Sequence, residues 1–183
     1  RKFATRNVGL RKFVMIRRSY MKVVGIDMSS QKTGISLLVD GKYVDHVLID
    51  LHKIKDTDER IRKMMKAIKT QLNEYEPDMI VMEECLMTNN IKTVKILSYI
   101  AGTIISWADE NNVIFKFLLP TAWRKCVGII QGPKTKREVL KQEAMDMVKN
   151  KFKIEVTDDE AEAILIAYSM SCNKNSNDID IEI

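Results

Sequence analysis

Glycine, proline and histidine are scarce in this chain, at seven, three and two of 183 residues. Enzymes that cradle nucleotide phosphates use several glycine-rich loops, and seven scattered glycines do not supply them. With only His46 and His52 available, imidazole-based metal sites and catalytic triads have little to work with, so carboxylates must carry any catalysis. Three cysteines, Cys85, Cys126 and Cys172, are odd in number and lack C-x-x-C spacing, which argues for reduced thiols over a disulfide framework or a zinc site. No apolar run approaches the roughly 20 residues needed to cross a bilayer, so no membrane association is expected.

What is present suffices for one respectable core: 45% of residues are hydrophobic, and a single domain is the natural expectation. The net charge of +5 is unevenly spread. Residues 1–20 hold seven basic groups and no acidic one, so residues 21–183 carry a net −2. We expect 1–20 to be a flexible or dispensable extension; its Arg-rich, acid-free composition also fits a transit peptide. Residues 120–153 break the acidic trend with nine basic groups against three acidic. That surplus suits a surface facing a polyanion, and equally a solvated lysine-rich helix face.

The organising stretch is V-V-G-I-D-M-S-S-Q-K-T-G at 23–34: a buried strand ending in Asp27, then small and polar residues leading to an antiparallel partner. Strands over 34–39 and 42–50 follow, joined at Asp40-Gly41, a dipeptide suited to a type I′ turn. Helical spacing of Ile61, Met64, Met65, Ile68, Leu72 and Tyr75 predicts a helix over 57–75, and 79–82 reads as a strand closing on Glu83-Glu84. A helix over about 90–111, capped by Asn89 or Asn90, carries apolar residues on more than one face, as if buried on two sides. Gly102 on it is a candidate for close approach of another helix, either within the chain or across a dimer. A strand over 113–119, a short helix over 121–128, an amphipathic helix over 134–152 using Val139, Leu140, Ala144, Met147 and Val148, and a last helix over 157–172 complete the domain. Residues 173–183 form an acidic, Asn-rich tail.

Acids end two strands and open the last helix. Asp27 alone reads either as a turn carboxylate bonded to backbone N–H groups or as a metal ligand. Glu83 ends the fourth strand, and Asp159 and Glu162, three residues apart, share a helix face. Carboxylates converging there would repel one another unless divalent cations lay between them, and hard oxygen donors select Mg²⁺ or Mn²⁺. Asp158 and Glu160 are explained equally well as acids favoured at a helix N-terminus.

Together, the strand-ending Asp27, V-M-E-E at 81–84, V-G-I at 127–129 followed by K-R-E-V at 136–139, and D-E-A-E-A-I-L-I-A at 159–167 resemble the RuvC family of Holliday-junction resolvases, particularly its bacteriophage-type members. The resemblance covers roughly 21–172. It implies a ribonuclease-H-like α/β fold: a central mixed five-stranded sheet, three strands of it an antiparallel meander, flanked by helices. It further implies a homodimer, for which helix 90–110 is the candidate contact, and four acids, Asp27, Glu83, Asp159 and Glu162, binding Mg²⁺ for phosphodiester hydrolysis, with Mn²⁺ able to substitute. Two ions bridged by Asp27 would hold the scissile phosphate and leave 5′-phosphate and 3′-hydroxyl ends. Lys136 and Arg124 match basic positions that contact the junction in the family, and Lys134 and Arg137 would hold backbone phosphates beside them. The setting implied is the cytoplasm of a bacterial or phage-infected cell, or an organelle matrix if residues 1–20 are a transit peptide.

Two departures stand out. The fourth acid is usually Asp, so Glu162 must reach one methylene further; and Glu84 could replace Glu83 if the strand register slipped. Actin-like and sugar-kinase ATPases share the G-I-D opening but need a second subdomain and more glycine-rich loops. A ribonuclease-H-like nuclease acting on an RNA/DNA hybrid or a flap, and a junction-binding protein with impaired catalysis, remain as alternatives.

Overall fold

The computed structural model describes residues 20–84 and 90–172. The expectations for the N-terminal extension, for Cys85, for a cap at Asn89 and for 173–183 lie outside them. The described chain runs β1 (Lys22–Asp27), β2 (Lys32–Val39), β3 (Lys42–Asp50), α1 (Thr57–Tyr75), β4 (Met79–Glu83), α2 (Ile91–Glu110), β5 (Ile114–Leu118), α3 (Pro120–Val127), α4 (Arg137–Phe152) and α5 (Asp158–Cys172). The strands form one sheet in the order β3-β2-β1-β4-β5. β1, β2 and β3 are antiparallel neighbours, whereas β4 lies parallel to β1 and β5 parallel to β4. This is the mixed sheet with an antiparallel meander that the sequence predicts. None of the described helices is long and apolar enough to cross a membrane.

Local chemistry accounts for the boundaries. Asp40 and Gly41 both take positive φ, 50° and 76°, as a type I′ hairpin turn requires. Asp56 caps α1 by accepting from the Glu59 N–H at 2.7 Å, and the helix ends on Glu76 in the left-handed region before Pro77 can disrupt it. Asn90 caps α2 through the Thr93 N–H at 3.2 Å.

β1 is buried on both faces, and the two faces have different lids. One core holds Val24, Ile26 and Ile80 under Met64, Ile68 and Leu72 of α1 and Ile96, Ile100 and Ile104 of α2. The other holds Val23, Val81 and Leu38 under α5, with Trp123 of α3 and Leu140, Ala144 and Val148 of α4 behind it. α5 can lie close to the sheet because glycines face it. A Cβ on Gly25 would run into the Ala163 carbonyl and stand 2.7 Å from the Ala167 nitrogen, and one on Gly34 would meet the Asp159 backbone. The Ser36 hydroxyl donates to the Ala163 carbonyl at 2.9 Å at the same interface.

Three sequence expectations are corrected. α4 starts at Arg137, not 134, because the Gly132 N–H donates to the Thr135 hydroxyl at 2.8 Å and folds the approach into a turn. Val139, expected inside, is exposed, since the inward stripe runs through Leu140, Ala144 and Val148. The second apolar face of α2 is not covered within the described residues: Tyr99 and Ile105 are exposed, and a Cβ on Gly102 would meet nothing within 4 Å. His46 lies within β3, and its Nδ1 is 2.6 Å from the Tyr43 hydroxyl.

Candidate active site

β1 and β4 are parallel neighbours with Ile26 opposite Met82, so the residues that follow, Asp27 and Glu83, end side by side at one edge of the sheet. The first turn of α5 crosses β2 at Gly34, the residue paired with Asp27, and brings Asp159 and Glu162 to the same edge. Strand ends provide two acids and a helix start provides two more.

The electrostatics agree that these four share one recess. Asp27 keeps a partial opening to solvent but is crowded by protein, and its carboxyl is held well above the usual carboxylate range. Burial is the main cause; the charges of Glu162, Glu83 and Asp159 add to it, and Arg137 opposes them. Burial also raises Glu83, against the Trp123 hydrogen bond and the Arg124 charge, and raises Asp159, helped by Asp158 and opposed by Lys141 and Lys32. Such a set carries more negative charge than its surroundings neutralise.

Arg124 is the main counter-charge in contact. Only 9% exposed, it approaches Glu162 Oε1 at 2.9 Å with Nη2 and Glu83 Oε2 at 3.6 Å, while Nη1 donates to Gln131 Oε1 at 3.0 Å. Its guanidinium lies 4.6 Å from the Trp123 ring centre, and its buried Nε has no hydrogen-bond partner among the described residues. The expected phosphate contact at Arg124 is thus a residue turned inward onto the acids. Lys134, Lys136 and Arg137 are exposed, with Arg137 close enough for its charge to act on Asp27 and Glu83.

Glu83, not Glu84, faces the recess. Trp123 Nε1 donates to Glu83 Oε2 at 2.7 Å, whereas Glu84 is exposed and its backbone N–H is engaged by the Leu118 carbonyl at 2.8 Å. Asp158 pairs with Lys141, and Glu160 accepts from the Thr157 N–H at 2.8 Å in a capping box, with His46 Nε2 at 3.5 Å. Helix-start duties therefore account for both, and the T-x-x-E spacing of 157–160 is the signal for the second. Trp123's contact has no comparable signal, because an aromatic residue on a short helix reads only as core.

Among the described residues no three carboxylate, imidazole or thiol groups are already arranged around one point as a metal cage. Glu83 and Glu162 are drawn to Arg124 instead. The donor chemistry nonetheless fits a hard divalent cation: the donors are carboxylate oxygens, and a positive charge in the recess would reverse the upward shifts of Asp27, Glu83 and Asp159. An open groove of about 890 Å³ near Cys126, Met147 and Tyr168 is lined by none of these acids.

Comparison with known proteins gives a consistent picture. The family model described as crossover junction endodeoxyribonuclease RuvC matches residues 23–169. The crossover junction endodeoxyribonuclease RuvC of Alkaliphilus oremlandii is 26% identical over 152 residues, covering 80% of this chain and 90% of that protein. The fold matches Thermus thermophilus RuvC in complex with Holliday junction substrate, with a TM-score of 0.68 at 15% identity over 86% of this chain and 96% of that one. It also matches the fowlpox virus resolvase in its complex with Holliday junction DNA, with a TM-score of 0.54 at 15% identity over 82% of this chain and 97% of that one.

Proposed function

This chain belongs to the RuvC family of crossover junction endodeoxyribonucleases, and from that membership we propose that it resolves four-way DNA junctions by metal-dependent hydrolysis of phosphodiester bonds. The observation that carries the reading at the level of chemistry is the shared recess of Asp27, Glu83, Asp159 and Glu162, where burial first, and neighbouring acids second, raise the carboxyls of Asp27, Glu83 and Asp159. These four are the ligands, Asp27 at the centre, with Mg²⁺ the working ion, Mn²⁺ a substitute and two ions per site. A bound divalent cation supplies an activated water and charge neutralisation at the phosphate.

The chain's own groups do the rest. Asp27 is fixed by a strand paired on both sides, so its carboxylate has little freedom to follow the substrate. Arg137, Lys136 and Lys134, exposed where α4 begins, hold backbone phosphates, a contact that recognises branched shape more than base sequence. Hydrolysis leaves 5′-phosphate and 3′-hydroxyl ends. Symmetric cutting of a junction needs two such sites, and the uncovered face of α2, with Ile91, Tyr99 and Ile105 exposed around open Gly102, is the surface we assign to a homodimer.

Asp27→Asn should abolish Mg²⁺-dependent cutting of a synthetic four-way junction while leaving junction binding largely intact. Undiminished cutting by that variant would overturn the assignment. Running a branched flap and an RNA/DNA hybrid beside the junction decides the substrate, and preferential cutting of the hybrid would move the enzyme elsewhere in the ribonuclease-H-like superfamily.

A further inference from the structure

α3 contributes none of the four acids, yet the polar ends of two adjacent residues on it both reach them. Trp123 is fully buried and donates its indole N–H to Glu83 Oε2 at 2.7 Å across 40 residues of sequence. The Arg124 guanidinium approaches the same oxygen at 3.6 Å. Both contacts therefore fall on Oε2 of a glutamate at the end of β4, a side chain with several rotatable bonds that would otherwise sample many directions. A buried indole N–H must find an acceptor, whereas Phe or Leu would fill an apolar site without that demand. α3 is itself held firmly: Pro120 opens it directly after β5, and Gly128 closes it in the left-handed region, so the direction of the Trp123 ring is set by backbone.

We propose that Trp123 is a positioning residue for Glu83: its indole N–H anchors one carboxylate oxygen so that the other is presented to the divalent cation in a single orientation. The inference rests on the reading of Glu83 as a cation ligand. The chain carries its own control in Trp107, whose indole N–H donates to Asn73 Oδ1 at 2.8 Å, tying α2 to α1 on the opposite face of the sheet. Hydrogen bonds to a ligand from the layer behind it commonly govern metal affinity by about 10–100-fold.

The test uses the full chain and Mn²⁺ alone, with free Mn²⁺ read by electron paramagnetic resonance. Trp123→Phe should weaken Mn²⁺ binding about tenfold or more, and Glu83→Gln at least as much. The double variant should be no weaker than Glu83→Gln, because the indole acts through that carboxylate. If Glu83→Gln binds Mn²⁺ normally, the reading of Glu83 as a ligand fails. If Glu83→Gln is weakened but folded Trp123→Phe is not, or if the two losses add in full, the positioning role fails while the ligand reading stands. Should Trp123→Phe not fold, a Mg²⁺ titration of the unaltered protein decides. The Trp123 indole ¹H–¹⁵N signal, assigned by the loss of the other in Trp107→Phe, must move with the cation-binding midpoint while that of Trp107 stays in place. A stationary Trp123 signal overturns the proposal.

Discussion

α2 and α5 are both long apolar helices on the same sheet, and they meet it in opposite ways. α5 sinks onto β1 and β2 where Gly25 and Gly34 leave no side chains, and an unbroken run from Ala161 to Ala167 is buried. α2 stands off on the other face, burying one stripe through Ile96, Ile100, Ile104, Trp107 and Ala108, and its own Gly102 opens on nothing. The difference shows what a glycine is for in each place. Beneath α5 it removes the Cβ layer, bringing the helix's opening acids within reach of strand-end carboxylates. On α2 it leaves a flat spot that the described chain itself does not use.

The sharpest way to break this contrast is to fill the space beneath α5. Gly25→Ala places a methyl against helix backbone that cannot move independently, and should destabilise the fold by about 3 kcal/mol, seen as a fall in Tm of about 2–4 °C per kcal/mol. Retention of wild-type Tm would mean that the α5 contact is not close.

The charge in the recess should be visible as a stability effect of opposite sign. Burial and the neighbouring acids raise the Asp27 carboxyl above its reference value of 3.8, so ionised Asp27 costs the fold stability at neutral pH. In chelator, stability should recover as pH falls through that raised value toward 3.8, and Asp27→Asn should raise Tm at neutral pH while flattening this dependence. An unchanged or lower Tm with the same pH profile would refute the electrostatic account. Arg137→Ala and Lys136→Ala on the α5 side should each weaken junction binding several-fold and reduce the salt slope by about one, whereas Lys92→Ala and Lys95→Ala, exposed on α2, should leave both unaltered. The smallest expected effect is at the open glycine. Gly102→Ala should stabilise an isolated chain by about 0.5–1 kcal/mol; a loss instead, growing with protein concentration, would show that a second copy covers the spot.

Much of this architecture is legible in the sequence because it obeys local rules. The Asp40-Gly41 turn, the bounds of α1 and the run of acids at 157–162 follow from turn chemistry, helical spacing and capping. Direction and depth escape such rules. Arg124 reads as one more member of a basic segment, since charge along a chain does not reveal which way a side chain turns, and only packing of α3 against β4 sends it to Glu83 and Glu162. Gly25 reads as an ordinary strand residue because nothing near it in sequence announces a helix that arrives more than a hundred positions later. The apolar second face of α2 reads as burial, since periodicity counts hydrophobic residues without saying whether anything covers them.

That late arrival has a consequence for how the protein is made. The Ser36 hydroxyl and the Ala163 carbonyl that it meets are 127 residues apart, so the α5 interface is among the last to form as the chain leaves the ribosome. A nascent chain exposes Asp27 and Glu83 long before Asp159 and Glu162 exist to join them. The recess is therefore assembled by the final folding step, and a chain interrupted before α5 is not a partly active nuclease but a sheet with one bare face, left for quality control to find.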